Sequence, residues 1–526
     1  MTQRETGSTS PWHAGKIDSV LAYLYTPLRP LTQRLTGRRT GERGYEPRDI
    51  LLPRGFTAEL VASGLNEPVH CTFGDDGRCY VVECGHKIDS VPRVVAVDTA
   101  TGEQSVFYQL PEDRWNKTGA VTGAAWRDGR LYLADTDRII AIDGDGRVDE
   151  VVSGLPGLGD HQTNYPVFGP DRKLYWGQGS ATNTGVVGAD NAAYEWLPDH
   201  PDVHDVPAAD ITLAGRNFTY KDVLGHLETV ECGAFVPFGT PTEPGQVIRG
   251  DVRCTGAVLR CNPDGSDLEV VAWGLRNPYG IAFSTDGRLF ATEHGIDERG
   301  ERYIVGDLED LYEITPGRWY GWPDYASGIR LDDPRWGTAG RGREPLLADP
   351  PETAPPTPFA TFSPHAAPNG FDFCRDPAFG FEGDAFVALF GDLAPVTTRP
   401  ATPVGFKVAR VDMRTGQVHD FAVNRYTGPA SKLPHDGFER PSHCAFGPDG
   451  CLYVVDFGEI VIAPEVGGVR IRIGTGALWR IRRTSEPVGD EPAAPRRVPL
   501  YALRAAGGAL GAAAVTWLVR RISKRR

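Results

Sequence analysis

Apolar and polar residues alternate in short runs along most of this chain, and turns built on Asp-Gly or a similar pair separate the runs. Alternation with a period of two predicts half-buried strands. Asp-Gly between two such runs is a strong hairpin signal, because the tight hairpin turns need positive φ at the turn residues. The pattern therefore predicts an all-β chain built from hairpins.

One hairpin signature returns six times along the chain. It joins an aromatic or small residue, a turn, and an apolar strand rich in aromatic residues. The copies are FGDDGRCYVVE at Phe73, AWRDGRLYLAD at Ala125, FGPDRKLYWGQ at Phe168, FSTDGRLFATE at Phe283, FEGDAFVAL at Phe381 and FGPDGCLYVVD at Phe446. A second hairpin follows most copies, as in RVVAVDTATGEQSVF at Arg93. Four-stranded units repeated about six times predict a six-bladed β-propeller.

The two ends of the repeat region complement each other. Residues 56–65, FTAELVASGL, resemble the fourth strand of a blade that lacks its hairpins, whereas the last repeat ends at Arg483 after its third strand. We therefore expect the N-terminal strand to complete the last blade. An insertion at about residues 183–253 falls between the second and third strands of the third repeat, which places it on the face of the channel mouth.

The predicted propeller spans residues 51–484, and the segments around it differ in composition. Residues 1–50 are predicted to be a flexible basic arm without the apolar core of a signal peptide, and 485–498 a linker. Residues 499–526 are predicted to form an apolar helix with the basic tail RRISKRR. The uncharged stretch 505–519 is shorter than the roughly 20 residues that span a bilayer. Two alternatives are therefore open for this helix: it attaches the protein to a membrane, or it packs on the propeller.

The net charge of -14 argues against nucleic acid as a partner, because phosphate binding needs clustered Lys and Arg. The nine cysteines form no CxxC pair and so predict no metal or redox framework. Cys232 and Cys254, both near or within the insertion, could form a disulfide if the protein is exported.

The innermost strand of each blade begins at the channel mouth, and the second strand ends there. His161 and the pair Arg276 and Asn277 begin inner strands; an imidazole there suits a general base. A buried guanidinium implies an anionic ligand. His70 and His443 occupy equivalent positions in two blades, which indicates packing as much as catalysis. The second-strand ends contribute Glu83, Asp135, Gln178, Glu293 with His294, Asp392 and Asp456.

From about Leu52 to Arg483 the sequence resembles the soluble quinoprotein glucose and sorbosone dehydrogenase family, particularly its sorbosone-type branch. The segments that carry the resemblance are GDHQTNYPVFGPDRKLYWGQGS, GLRNPYGIAFSTDGRLFATEHG, YGWP at Tyr320, SPHAAPNGFDF, GDAFVALFGD and RPSHCAFGPDGCLYVVD. The resemblance implies a six-bladed propeller that oxidises a sugar or aldose with pyrroloquinoline quinone (PQQ) and calcium held over the channel.

The resemblance also assigns roles to residues. It implies that His161 abstracts the proton of a sugar hydroxyl or aldehyde hydrate while hydride passes to the quinone. Arg276 and Asn277 would polarise the quinone oxygens. The carbonyls of Gly295 and Ile296 would hold calcium, which prefers hard oxygen ligands, and Arg440 would be a cofactor-binding cation.

The chain departs from the family at two cationic positions. No lysine occurs between residues 390 and 396, and Ser442 stands where the family has a second arginine. Because charge-assisted contacts contribute about 1.5 to 3 kcal/mol each, we expect a tri-carboxylate cofactor to bind more weakly. Two alternatives follow: a calcium-dependent lactone hydrolase, favoured by the acidic mouth, and a non-catalytic propeller tethered by its C-terminal helix.

Overall fold

The structure is a computed structural model, and it describes residues 43–86, 90–115, 121–225, 227–336, 343–394, 397, 402–433, 436–463 and 468–494. Within these ranges the chain forms strands and short 3-10 helices. The 3-10 helices are Pro47–Asp49, Glu112–Arg114, Ala189–Tyr194, Pro334–Trp336 and Ala430–Lys432.

Six sheets of four or five antiparallel strands form the six blades of a β-propeller, as predicted. Blade one contains β3 (Pro68–Phe73), β4 (Cys79–Glu83), β5 (Arg93–Val97) and β6 (Gln104–Gln109). Blade two contains β7 (Val121–Arg127), β8 (Arg130–Asp135), β9 (Arg138–Asp143) and β10 (Val148–Val152). Blade three contains β11 (Thr163–Phe168), β12 (Leu174–Gln178), β17 (Ala257–Cys261) and β18 (Glu269–Trp273).

The other three blades repeat this order. Blade four contains β19 (Pro278–Phe283), β20 (Leu289–Glu293), β21 (Glu309–Glu313) and β24 (Ala360–Phe362). Blade five contains β25 (Pro368–Phe373), β26 (Ala385–Leu389), β27 (Lys407–Asp412) and β28 (Gln417–Asn424), with β1 (Ile50–Leu51) as an added edge strand. Blade six contains β29 (Pro441–Phe446), β30 (Leu452–Asp456), β33 (Gly476–Arg483) and β2 (Phe56–Leu65).

The N-terminal strand closes the last blade. β2 pairs with β33 in an antiparallel register that runs from Phe56 opposite Arg483 to Leu65 opposite Gly476. This pairing supplies the fourth strand that the last repeat lacks and confirms the predicted closure. The preceding residues also contact the propeller, since the guanidinium of Arg43 forms an ion pair with Asp456. The propeller contacts therefore begin inside the segment assigned to the N-terminal arm.

The insertion lies between β12 and β17, as predicted, and so at the mouth end of blade three. It carries two small hairpins, β13 (Ile211–Thr212) with β16 (Val247–Ile248) and β14 (Phe218–Lys221) with β15 (Thr229–Cys232). Further hairpins outside the insertion are β22 (Tyr325–Ala326) with β23 (Ile329–Arg330) and β31 (Ile460–Ala463) with β32 (Gly468–Ile471). Cys232 and Cys254 are both free thiols, so the disulfide considered for them does not form.

Aromatic rings fill the centre of the channel. The rings of His70 and His443 lie 3.9 Å apart between centroids, and the ring of Tyr165 lies 4.3 Å from that of His70. Gly370 makes this approach possible, because a Cβ there would lie 1.9 Å from a ring carbon of His443. Burial, and then the neighbouring His443, lower the pKa of His70 well below its usual value. The two histidines are therefore packing residues of the channel.

The predicted C-terminal helix and basic tail at 499–526 lie outside the described residues. Among the residues that are described, no helix has the length and apolarity needed to cross a membrane.

Candidate functional site

His161 lies at the channel mouth, in the loop that leads into β11. Its Nδ1 is 2.8 Å from the carbonyl oxygen of Ser180 and donates to it, which leaves Nε2 as the nitrogen without a proton. The amide of Ser180 in turn donates to the carbonyl of Arg276 at 2.7 Å. Burial, and then the charge of Arg276, lower the pKa of His161 well below its usual value. The ring is therefore a neutral imidazole suited to accept a proton.

Arg276 precedes β19 and is 3% exposed. Its Nη2 donates to Asn183 Oδ1 at 2.9 Å and to Asp297 Oδ2 at 3.1 Å, its Nε donates to Asn183 Oδ1 at 3.2 Å, and its Nη1 donates to the carbonyl of His294 at 3.3 Å. Four of the five N–H bonds of the guanidinium are thus used. The expectation that this arginine requires an anionic ligand is wrong, because Asp297 of the same chain neutralises it.

Asn277 is held on both sides of its amide. Its Oδ1 accepts from Asn164 Nδ2 at 3.1 Å, and its Nδ2 donates to His294 Nδ1 at 3.1 Å. The other ring nitrogen of His294 donates to the carbonyl of Pro368 at 3.2 Å. Burial, and then Arg276, lower the pKa of His294 to about 4. A neutral ring therefore orients the Asn277 amide, which keeps one N–H bond for a ligand.

Gly295 and Ile296, the predicted calcium-binding positions, follow β20. The backbone N–H groups of both residues donate hydrogen bonds to buried carboxylates. Gly295 donates to Glu309 Oε2 at 3.1 Å, and Ile296 donates to Asp307 Oδ2 at 2.6 Å. Burial raises the pKa of Glu309 to about 7 and that of Asp307 to about 6. In the described part of the chain, no cluster of three or more His, Cys, Asp or Glu side chains is able to hold a metal ion. A calcium ion here would therefore depend on backbone carbonyl oxygens.

A buried charge network joins the mouth to the insertion. The guanidinium of Arg299 forms ion pairs with Asp160, with Asp190 at 2.7 Å and with Asp297 at 3.2 Å, and it lies 4.3 Å from the ring centroid of Tyr194. Asp190 and Tyr194 belong to the insertion, whereas Asp160 directly precedes the catalytic candidate in the chain. Arg299 therefore connects the insertion to Asp160, which precedes His161, and to Asp297, which pairs with Arg276.

The insertion also contacts Asp160 directly. Asn191 Nδ2 donates to both carboxylate oxygens of Asp160 at 3.0 and 3.1 Å, and Trp196 Nε1 donates to one of them at 2.7 Å. This carboxylate is buried and fully engaged. The insertion is thus hydrogen-bonded to Asp160, the residue next to His161. The position of the insertion and the position of the imidazole are therefore linked.

Arg440 lies apart from this cluster. Its Nη1 donates to the carbonyls of Gly391 and Asp392 at 3.1 and 3.0 Å, and its guanidinium lies 5.1 and 5.0 Å from the ring centroids of Phe390 and Phe406. The side chain is 2% exposed. Among the described residues, these contacts join Arg440 to the loops of blade five and not to the residues around His161.

The carboxylates predicted at the second-strand ends have structural partners. Glu83 pairs with Arg93, Asp135 with Arg138 at 2.7 Å, and Asp456 with Arg43. Asp392 accepts the amides of Ala394 at 3.1 Å and Val404 at 2.9 Å. Glu293 accepts the amide of Arg276, and burial raises its pKa to about 8. The acidic mouth of the sequence is therefore a set of separate structural contacts.

A second imidazole, His365, faces the acidic side of the mouth. Its Nε2 lies 3.6 Å from Oε1 of Glu298. Burial lowers the pKa of His365, but Glu298, Glu309 and Asp297 outweigh that effect and raise it above the usual value. His161 and His365 thus occupy environments that shift their pKa values in opposite directions, a feature typical of acid and base pairs.

Sequence reasoning found His161, Arg276 and Asn277 but missed three residues that hold them. Asn183, Asp297 and Arg299 lie in loops between strands, where no repeat signal marks them. The one available clue is that Asn183 begins the insertion and Asp297 directly follows the Gly-Ile pair.

The structure therefore defines a six-bladed propeller whose channel mouth carries a histidine, an arginine and an asparagine. Residues 241–398 match the sequence profile of the Glucose / Sorbosone dehydrogenase family, which confirms the resemblance expected from the motifs. The chain is also 23% identical over 300 residues to quinoprotein glucose dehydrogenase B of Acinetobacter calcoaceticus, covering 52% of this chain and 53% of that protein. The chain therefore spans about half the length of this curated relative.

Solved structures share the fold. The holo form of the pyranose dehydrogenase PQQ domain from Coprinopsis cinerea has a TM-score of 0.52 at 16% identity, over 84% of this chain and 99% of that one. A carbohydrate-active enzyme of family AA12 from Trichoderma reesei has a TM-score of 0.50 at 18% identity, over 85% and 100%. At these identities the likeness supports the propeller fold alone.

Proposed function

We propose that the protein is a sugar dehydrogenase that removes a hydride and a proton from a hydroxyl-bearing or hydrated aldehyde carbon of a sugar. The observation that carries this proposal is the neutral imidazole of His161 beside the guanidinium of Arg276, linked through Ser180. The family profile over residues 241–398 and the curated relative support the substrate class.

His161 is the general base in this proposal. With Nδ1 donating to the Ser180 carbonyl, Nε2 accepts the proton of the substrate hydroxyl as hydride leaves the adjacent carbon. The guanidinium of Arg276 and the amide of Asn277 each keep an N–H bond that stabilises negative charge developing on oxygen. These two donors are fixed by Asn183 and His294, so little reorganisation is needed.

The cofactor proposed from the family is PQQ with calcium, and the residues at the mouth fit part of this chemistry. Arg276 and Asn277 suit the quinone oxygens, and the carbonyls of Gly295 and Ile296 are hard oxygen ligands that suit calcium. When bound, PQQ supplies the hydride acceptor. Arg440 is 2% exposed and its Nη1 already donates to the carbonyls of Gly391 and Asp392, so a carboxylate would have to compete for this guanidinium. We therefore expect affinity for PQQ to be lower than the family pattern implies.

The test is a titration of the protein with PQQ and calcium chloride, followed by absorbance, and then dye reduction with a panel of sugars. Wild type and His161→Ala should both take up PQQ, and only wild type should turn over. Absence of PQQ uptake by wild type would overturn the cofactor assignment. Equal turnover by both proteins would overturn the role of His161.

The alternative of calcium-dependent lactone hydrolysis has lost the observation that motivated it. Glu83, Asp135 and Asp456 are each paired with an arginine rather than gathered around a common point. The sugar dehydrogenase is therefore the function that the geometry supports best.

A further inference from the structure

A cavity of about 460 Å³ opens between blades four and five. Its lining includes Ala366, just before β25, Leu389 at the end of β26, Lys407 at the start of β27 and Val423 near the end of β28. These are the mouth ends of the four strands, since Pro368 pairs with Leu389 and Lys407 pairs with Val423. The cavity therefore reaches the same face as His161 at one end, and at the other it extends along β28 to Val418.

The volume and the lining suit an uncharged ligand with both apolar and polar faces. The volume falls within the roughly 300 to 1,000 Å³ typical of small-molecule sites. Phe362 and Phe406 are buried and contribute ring surface, and the rim carries exposed hydroxyl side chains. These hydroxyls are those of Thr361, Ser363, Thr402 and Thr427.

The charges in the lining are balanced. The ammonium of Lys407 forms an ion pair with Asp420, and both line the cavity. No other charged side chain occurs among the described lining residues. An anion would have to compete with the Asp420 carboxylate for Lys407, and a lipid chain would face the hydroxyl rim. A sugar, which has apolar C–H faces and hydroxyl edges, matches this surface better.

One loop separates the cavity from the site. Ala366 lines the cavity, and the preceding residue His365 lies 3.6 Å from Glu298 on the other side. Glu298 directly follows Asp297, which pairs with Arg276 at 3.1 Å. The two sites are thus neighbours across residues 363–368.

This loop is rigid. His365 and Ala367 have left-handed φ angles of 64° and 50°, a conformation that costs free energy in non-glycine residues unless surrounding contacts impose it. The carbonyls of Ala366 and Ala367 accept the amides of Gly391 and Phe390, each at 2.9 Å. The cavity and the site are therefore separated by a single loop whose backbone is held in place by these contacts.

We propose that this cavity is a distal sugar-binding subsite, which holds the outer units of an oligosaccharide whose terminal unit is oxidised at His161. This assignment rests on the proposed function for the role of the terminal unit. The binding of the outer units is a separate property of the cavity, so it is measurable without cofactor.

The first experiment measures binding of glucose, maltotetraose and cellotetraose to the full chain without PQQ, by calorimetry and saturation-transfer NMR. At least one tetrasaccharide should bind about tenfold or more tightly than glucose, the equivalent of one additional well-packed contact. Equal affinity for glucose and both tetrasaccharides would overturn the subsite.

The second experiment fills the cavity. Thr427→Trp places a bulky ring at its exposed rim, and Ser105→Trp is the matched control in β6 of blade one, where the side chain is also exposed. Thr427→Trp should lower tetrasaccharide affinity about tenfold and leave glucose affinity unchanged, whereas Ser105→Trp should change neither. Unchanged tetrasaccharide binding in Thr427→Trp would overturn the proposal.

Turnover separates this proposal from the proposed function. Tetrasaccharide binding that Thr427→Trp weakens, in a protein that oxidises no sugar, would support the subsite and contradict the dehydrogenase. Oxidation of glucose and tetrasaccharides with equal KM in wild type and Thr427→Trp would support the dehydrogenase and contradict the subsite.

Discussion

The side-chain oxygen of Asn183 accepts hydrogen bonds from Nη2 of Arg276 at 2.9 Å and from its Nε at 3.2 Å. The same oxygen accepts the amide of Asp297 at 3.0 Å, and Nδ2 of Asn183 donates to the carbonyls of Asp297 and Arg299, each at 2.9 Å. Asn183 is therefore the residue that positions Arg276 and the loop that carries its counter-ion.

Replacing Asn183 with alanine should displace Arg276 and lower kcat by about 10- to 100-fold, because small misplacements of positioning groups are costly. KM for sugar should change less than kcat. Asn217→Ala is the control, since Asn217 bonds only Thr242 within the insertion among the described residues. Steady-state kinetics with the PQQ-loaded proteins measure both, and equal losses in the two variants would contradict the positioning role.

The pH dependence of turnover should reflect the lowered pKa of His161. A base whose pKa lies well below its usual value stays unprotonated as the pH falls through 6.5, so activity should persist there and fall only at lower pH. A kcat/KM profile between about pH 5 and 9 measures this. A half-maximal point at or above the ordinary histidine pKa would contradict it, unless His365 causes it.

His365 supplies the control for that profile. Its pKa is raised, so its titration should appear as a step in activity above the ordinary histidine pKa that disappears in His365→Gln. Glu309 and Glu293, whose pKa values are raised to about 7 and about 8, are the other groups that titrate there. A step that survives His365→Gln would exclude this ring as its origin.

Arg299 should contribute strongly to stability. Arg299→Ala leaves Asp160, Asp190 and Asp297 without their shared cation in a buried site, and breaking a buried ion pair costs about 3–5 kcal/mol. Arg249→Ala removes an exposed pair with Asp210 and should leave the free energy of unfolding nearly unchanged. Chemical denaturation of both variants compares the two, and similar losses would contradict the network.

Asp205 should make folding depend on pH. Burial raises its pKa to about 6, above the ordinary value of 3.8, although it accepts bonds from Ala181, Thr182 and Thr255. A carboxyl whose pKa is raised on folding stabilises the fold below the unfolded pKa, and this contribution is lost as the pH rises towards 6. The unfolding free energy of wild type should therefore fall relative to Asp205→Asn over this interval, on the order of 2 kcal/mol.

Denaturation midpoints of wild type and Asp205→Asn at several pH values test this difference. Asp202→Asn, at an exposed position of the insertion, should run parallel to wild type. A constant offset between wild type and Asp205→Asn across the interval would show that the Asp205 carboxyl does not titrate as described.

The alternation of residues and the Asp-Gly turns by themselves determined the six blades, the closure of blade six by residues 56–65 and the place of the insertion. These are local signals: a hairpin is specified by residues a few positions apart, and its repetition specifies the propeller. The motifs around His161 and Arg276 also placed both residues at the mouth, because strand order alone decides which strand ends meet there.

Only the tertiary structure decided how the charges of the site are compensated. Arg276 and Asn183 are 93 positions apart, and Arg299 and Asp160 are 139 apart, so no local pattern reports that they meet. For the same reason the sequence predicted an anionic ligand for Arg276, where the fold supplies Asp297. The cofactor contact that the family resemblance implies for Arg440 stays a prediction. Charge compensation depends on which loops come together in space, and only folding brings them together.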